Sequence, residues 1–313
     1  MADLKDSESV YSGYLLILIA VVIFSSIEVG SQHLMKEMGI SPLDVSLLRF
    51  GIGGIFLLVV ALVQVGQKKF FEIVRVDGLK LGLLGLLGAT VVPLCFHRSL
   101  TLTSSVIAGT IFSINPAVID LIFIAFRVDR PTIARVTGIL LGTVCVLVSN
   151  IGAQAHEPEF PRYFAGNMLM VAAVLAWSFY FFLVRDYIKK YSGLVVSCIM
   201  VMGGTIGLLL FAPFSESLGW GKSLAFFNSL TPAGWALALY LGIFTIGLGY
   251  SLLYMGLSKT GVSNGMMVFF AKPALVALLA YFLQGHPLSI WIGLGIILAA
   301  GSILAVGIAS KAS

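Results

Sequence analysis

Ten apolar stretches, each long enough to cross a ~30 Å hydrocarbon core, leave this chain few ways to fold. They run over residues 14–35, 43–65, 78–96, 103–126, 132–152, 164–184, 193–213, 233–256, 262–283 and 288–309. Lipid offers no partner to a backbone N–H or C=O, so a crossing segment is a helix or a strand of a closed barrel. The runs are unbroken rather than alternating at every second residue, which selects helices. Only 11% of the 313 residues are charged, against about 25% in a soluble domain. The expected fold class is an all-α membrane protein with ten transmembrane helices.

The loops carry charge unevenly. Thirteen of the 19 Lys and Arg residues fall on the side of the N-terminus, with clusters at Lys68–Lys80, Arg127–Arg135 and Arg185–Lys190. Only Lys36, Arg98, Arg162 and Lys222 fall on the other side. The positive-inside rule then puts both termini in the cytoplasm and requires an even number of helices. The net charge of +5 thus belongs to membrane-flanking loops and does not call for a nucleic-acid partner. Residues 1–13 hold Lys5 against Asp3, Asp6 and Glu8, so they lack the basic start of a cleavable signal, and the first span is expected to remain as a helix. Cys95, Cys145 and Cys198 lie in apolar spans without metal-ligand spacing and read as small buried hydrophobes. There is no Walker loop, no dinucleotide turn and no HExxH, so no cofactor, metal or ATP-driven cycle is expected of this chain. No nucleophile or acid–base set shares one depth, so an enzyme is not expected either.

The chain is a tandem duplication. A shift of 157 lays residues 78–148 on 235–305 without a gap: Gly85 meets Gly242, Pro116-Ala117 meets Pro273-Ala274, and Gly138-Ile139 meets Gly295-Ile296. A shift of 153 pairs Phe24-Ser25 with Trp177-Ser178. Each half holds five spans, an odd number, so the halves insert in opposite orientations. The expected organisation is a cytoplasmic tail (1–13), a first five-helix repeat (14–152), an extracytoplasmic linker (153–163), a second repeat (164–309) and a C-terminal tail (310–313). Inverted repeats of this kind mark secondary transporters, whose sites lie near the midplane where paired Pro-interrupted helices meet. Here those helices are the fourth and the ninth.

Lys272 sits at that midplane, about ten residues or ~15 Å from either end of its helix. An ammonium there costs roughly 2.5–3.5 kcal/mol on insertion scales, so it needs a partner or a wet cavity. It reads as the cation that attracts a carboxylate, sulfonate or phosphate. The alternative ties it to backbone carbonyls freed by Pro273, that of Phe269 among them, or to Asp120. Asn115, its repeat mate, would orient a solute or tie two helices together. Glu28 and Arg49 are expected at similar depth and read as an ion pair in the outer half, or with Glu28 as a protonatable switch. Asp120 lies deeper toward the cytoplasm, about 140° around the helix from Asn115. Glu28, Arg49 and Asp120 are therefore candidates for gating or proton coupling. His33, His97 and Arg98 are expected near the outer surface, in contact with water, with gating as the lesser alternative. Among the aromatics, Trp177, Tyr180 and Tyr250 are candidates for a wall that accepts an apolar or flat solute. Glycines at Gly51/Gly53/Gly54, Gly82/Gly85/Gly88 and Gly203/Gly204/Gly207 have the spacing of close helix contacts.

These motifs together resemble the drug/metabolite transporter superfamily, and within it the EamA-type branch. The resemblance rests on Phe24-Ser25 and Trp177-Ser178, Leu48-Arg49-Phe50, Asn115-Pro116 and Lys272-Pro273, and the two Gly-Ile pairs, and it covers nearly the whole chain. It implies a carrier of small metabolites, with helices one to four and six to nine around a central cavity and helices five and ten outside. The pattern departs at one place: Asp129 supplies the acidic residue that usually precedes the last helix of a repeat, whereas His286 stands at the equivalent point of the second. The expected protein is an inner-membrane exporter of a small organic anion or zwitterion such as an amino acid, working by alternating access. Its expected partners are the solute, membrane lipid and, for coupling, a proton; a monomer and a homodimer are both open. The rival readings are a carrier of lipophilic or quaternary cations and a flippase for an anionic lipid headgroup.

Overall fold

The computed structural model describes residues 2–128, 130, 132–154, 163–224, 226–284, 290–291, 293–295, 297–298 and 300–302. Asp129, Arg162, His286, Pro287, the tail 310–313 and most of the expected linker lie outside them. In chain order the apolar helices are α1 (Ser9–Lys36), α2 (Pro42–Val65), α3 (Gln67–Leu100), α4 (Ser105–Ala125), α5 (Arg135–Cys145), α6 (Phe164–Lys190), α7 (Gly193–Phe214), α8 (Pro232–Thr260), α9 (Val262–Val276) and α10 (Gly293–Ser302). Seven of them are long and apolar enough to cross a membrane; α5, α9 and α10 are shorter. No strand occurs among the described residues. The helix that carries α1 already begins at Ala2, inside the expected tail, and helix α3 starts eleven residues before its apolar run at residue 78.

Local chemistry sets the helix starts. Ser41, Ser104 and Thr231 each accept a hydrogen bond from a backbone N–H three residues on, and Pro42 and Pro232 occupy the first helical position. Single glycines make the tightest connections: Gly66 joins α2 to α3 at φ 83°, and Gly261 joins α8 to α9 at φ 79°. A side chain at either would meet the left-handed penalty that glycine escapes.

The main helix contacts join one half of the chain to the other: α1 and α2 pack on α8, α3 on α6 and α7, α2 on α7, and α4 on α6. Small residues let these backbones approach. A Cβ on Gly85 of α3 would lie 2.2 Å from the carbonyl oxygen of Met200 on α7, and one on Gly53 of α2 would lie 2.4 Å from Ile246 Cβ on α8. At the basic end, Asp77 of α3 accepts from Lys190 Nζ and from the Tyr191 hydroxyl, both at 2.6 Å, which ties α3 to the end of α6.

Four of the helices carry irregularities that come in repeat-related pairs. Helix α3 contains a π-helical stretch at Leu87–Val91, and α8 contains one at Leu241–Gly249; the 157-residue shift carries the first inside the second. Helix α4 is broken by a turn at Ser113–Ile114 before Asn115, and α9 tightens into a 3₁₀ stretch, Met267–Ala271, before Lys272. Stretches of this kind inside longer helices frequently mark functional sites. A fifth break, the turn at Ser25–Ser26 in α1, has no counterpart in α6.

Candidate functional site

The broken helices converge on a central cavity of about 50 Å³, bounded by α1, α2, α3, α4, α6, α8 and α9. Its walls are mostly aromatic: Phe24, Phe50, Phe96, Phe112, Tyr250 and Phe269. Ring contacts hold that wall together. Tyr250 lies edge-on to Phe24 at 5.6 Å and to Phe50 at 6.2 Å, and Trp177 meets Tyr250 at 5.9 Å. Among the described residues the polar side chains of the lining are Arg49, Trp177, Lys272 and Tyr250, and none is a carboxylate. Its volume holds a few waters. Pockets that bury a small-molecule ligand run to roughly 300–1,000 Å³, so this cavity of about 50 Å³ is small for a solute.

Lys272 begins the last segment of α9 and is 1% exposed. Its Nζ donates to Glu28 Oε1 at 2.5 Å and stands 4.9 Å from the centre of the Phe112 ring. The break at Ser25–Ser26 makes Glu28 part of a new helix start, where the helix dipole suits a carboxylate. Glu28 therefore pairs with Lys272, not with Arg49 as the depth argument expects. Similar depth is satisfied by several helices at once; the neighbour is chosen by lateral packing, and α1 packs on the 3₁₀ stretch and the last segment of α9. The expected free carbonyl of Phe269 is also absent. The 3₁₀ winding lets the Lys272 N–H reach it one residue short of the α-helical partner, while the Phe269 ring faces the cavity.

Arg49, 4% exposed, has neutral neighbours instead. One guanidinium nitrogen lies 2.8 Å from His97 Nε2, another donates to Thr245 Oγ1 at 3.4 Å, and Nε has no hydrogen-bond partner. His97 Nδ1 lies 2.7 Å from Ser46 Oγ, whose own proton goes to the Pro42 carbonyl at 2.9 Å. The serine oxygen must then accept, so His97 carries its proton on Nδ1 and receives the Arg49 N–H on Nε2. His97 is thus fully buried and part of the site, not a surface histidine. Nothing in its immediate sequence, next to Arg98 at a helix end, signals this.

The remaining sequence candidates divide. Trp177, Tyr250 and Phe269 line the cavity. Tyr180 stands behind the wall, its ring stacked on Trp177 at 5.7 Å and its hydroxyl 2.5 Å from that of Tyr254. Asn115 is buried but outside the lining; its Nδ2 donates to the Phe112 carbonyl at 2.7 Å, closing the turn that breaks α4. Asp120 is elsewhere: it accepts from Ser263 Oγ and lies 3.6 Å from Arg135 Nε, joining α4, α9 and α5 on the side of the basic loops. Arg135 extends that link to Asn264 Oδ1 at 3.0 Å. Among the described residues no group of His, Cys, Asp and Glu is placed to hold a metal ion.

The sequence model of the EamA-like transporter family matches residues 11–151 and again 164–308. An uncharacterized transporter from Clostridium kluyveri is 27% identical over 293 residues, 91% of this chain and 89% of that one. The uncharacterized inner membrane transporter YicL of Salmonella typhimurium is 27% identical over 97% of both chains. A probable terminal-alkyne amino-acid exporter of Streptantibioticus cattleyicolor is 22% identical over 57% of this chain and 56% of its own. A solved crystal structure superposes at a TM-score of 0.75 with 20% identity, over 96% of this chain and 98% of that chain, and so shares its fold.

Proposed function

Because the chain belongs to the EamA-like transporter family and is a multi-pass integral membrane protein, we propose that it is a secondary transporter of a small organic anion or zwitterion, loaded at the central cavity. The observation that carries this reading is the charge of the lining. Arg49 and Lys272 bring two cations to it, Trp177 adds an N–H donor, and among the described residues no carboxylate lines it. Glu28 and Asp120, the carboxylates that a cationic solute would need, are both engaged by basic side chains. The aromatic wall takes the apolar part of the solute. The amino-acid exporter among the relatives supports a zwitterion and outward transport. The inner-membrane relative supports a site in a prokaryotic cytoplasmic membrane.

The mechanism proposed is alternating access between two inverted five-helix repeats, ten helices in all, with both termini cytoplasmic. Its support is threefold: one family model matches each half, the irregular stretches recur at repeat-related positions, and the basic loops fall on one side. Asp120 with Arg135 would close the cytoplasmic side. Glu28 is the group through which a proton would act, since protonating it releases Lys272 from its partner.

The test is thermal unfolding of the purified protein in detergent against phenylalanine, phenylacetate and phenethylamine, which share one tail and differ in charge. A ligand that binds the folded state alone raises Tm, by mass action. Stabilisation by phenylalanine or phenylacetate is expected. Stabilisation by phenethylamine alone would reverse the assigned charge of the solute.

A further inference from the structure

Two cations reach the central cavity, and they are not equivalent. Lys272 is already neutralised: Glu28 Oε1 stands 2.5 Å from its Nζ, and both residues are buried. Arg49 has no carboxylate within 4 Å among the described residues. Its neighbours are the neutral His97, held in the Nδ1–H form by Ser46, and the hydroxyl of Thr245. Its Nε remains unpartnered, and so does the indole Nε1 of Trp177; both side chains line the cavity. A buried cation with no carboxylate in direct contact is costly, and so is a buried N–H without an acceptor. A solute anion at this place would offset both.

We infer that Arg49, assisted by the Trp177 indole N–H, holds a single negative head group of the solute, while Lys272 remains bound to Glu28. This rests on the reading of the cavity as an anion or zwitterion site and goes one step further. The lining and its partners carry two positive charges and one negative, so one negative charge balances them. A carboxylate or another monoanionic head satisfies this; a doubly charged phosphonate does not. His97 is a positioning residue here. It touches no solute, but its Nε2 lone pair fixes one edge of the guanidinium and leaves the Nε edge free.

The experiment is isothermal titration of the detergent-purified protein with four probes that share a phenyl tail: phenylacetate, phenylphosphonate, 2-phenylethanol and phenethylamine. The reading is head-group selectivity, the affinity for phenylacetate relative to 2-phenylethanol. The wild type is expected to prefer phenylacetate over the other three. Arg49→Gln is expected to lower that selectivity by roughly tenfold to a hundredfold, the range of a hydrogen bond to a charged group. The double variant Lys272→Met with Glu28→Gln is expected to weaken both ligands together and keep their ratio. Selectivity that survives Arg49→Gln and collapses in the double variant would return the anchor to Lys272. A wild type that binds phenethylamine and not phenylacetate would instead sink the anion reading itself, a distinct result. Where Arg49→Gln does not fold, Trp177→Phe carries the test, because it removes a neutral N–H and keeps an aromatic ring. Its selectivity is expected to fall about fivefold to tenfold, and an unchanged ratio would overturn the inference.

Discussion

Glu28 and Lys272 are 244 residues apart, yet each is tolerable only because the other is present. A buried pair is weak evidence of stability, since desolvation cancels much of the attraction. Breaking one is different, because the surviving charge stays buried alone. Lys272→Met and Glu28→Gln are each expected to destabilise the protein, by about 3–5 kcal/mol for the variant that strands a charge. The double variant should cost less than the two added. A double-mutant cycle on denaturant or thermal unfolding in detergent measures this, and strict additivity would show that the two side chains do not interact. At this scale the sequence yields the ion and not its partner. The long apolar run around Lys272 announces a buried cation, as the runs around Trp177, Tyr250 and Phe269 announce buried rings. Hydropathy reports depth along a helix and is silent on which neighbour lies beside it. Glu28 and His97 therefore acquire their partners only in three dimensions.

Four helices carry irregularities in matched pairs, but only half of those are written in residue types. Pro116 and Pro273 mark the breaks in α4 and α9, because proline cannot donate the bond that would continue the turn. The π stretches of α3 and α8 have no such marker: a widened turn can be formed by any residues whose packing requires it. The same holds for the small residues. Their spacing signals close contact, yet adjacent glycines on α3 differ in what surrounds them. A Cβ on Gly85 would meet the Met200 carbonyl at 2.2 Å, whereas one on Gly82 would meet nothing within 4 Å. Gly85→Ala is expected to destabilise by about 1–3 kcal/mol as overpacking forces α3 from α7. Gly82→Ala should be neutral or slightly stabilising, through the better helix propensity of alanine. Equal melting temperatures for the two variants would contradict the α3–α7 contact.

For the molecule as a whole, the membrane class and the helical architecture are legible from ten apolar runs, and a transporter family from the duplicated motifs. The size of the cavity is not, because it depends on which rings meet across helices, and no local pattern encodes that packing. That size has a bearing on the cell. A cavity of about 50 Å³, walled by rings packed edge to face, has room for a few waters and not for a wide aqueous channel. An idle copy should therefore insulate as well as the lipid it replaces. Liposomes carrying the purified protein are expected to hold an imposed proton gradient as long as protein-free ones, read with an internal pH dye, until solute is added. A carrier built this way can stand in an energised membrane in large numbers without discharging it.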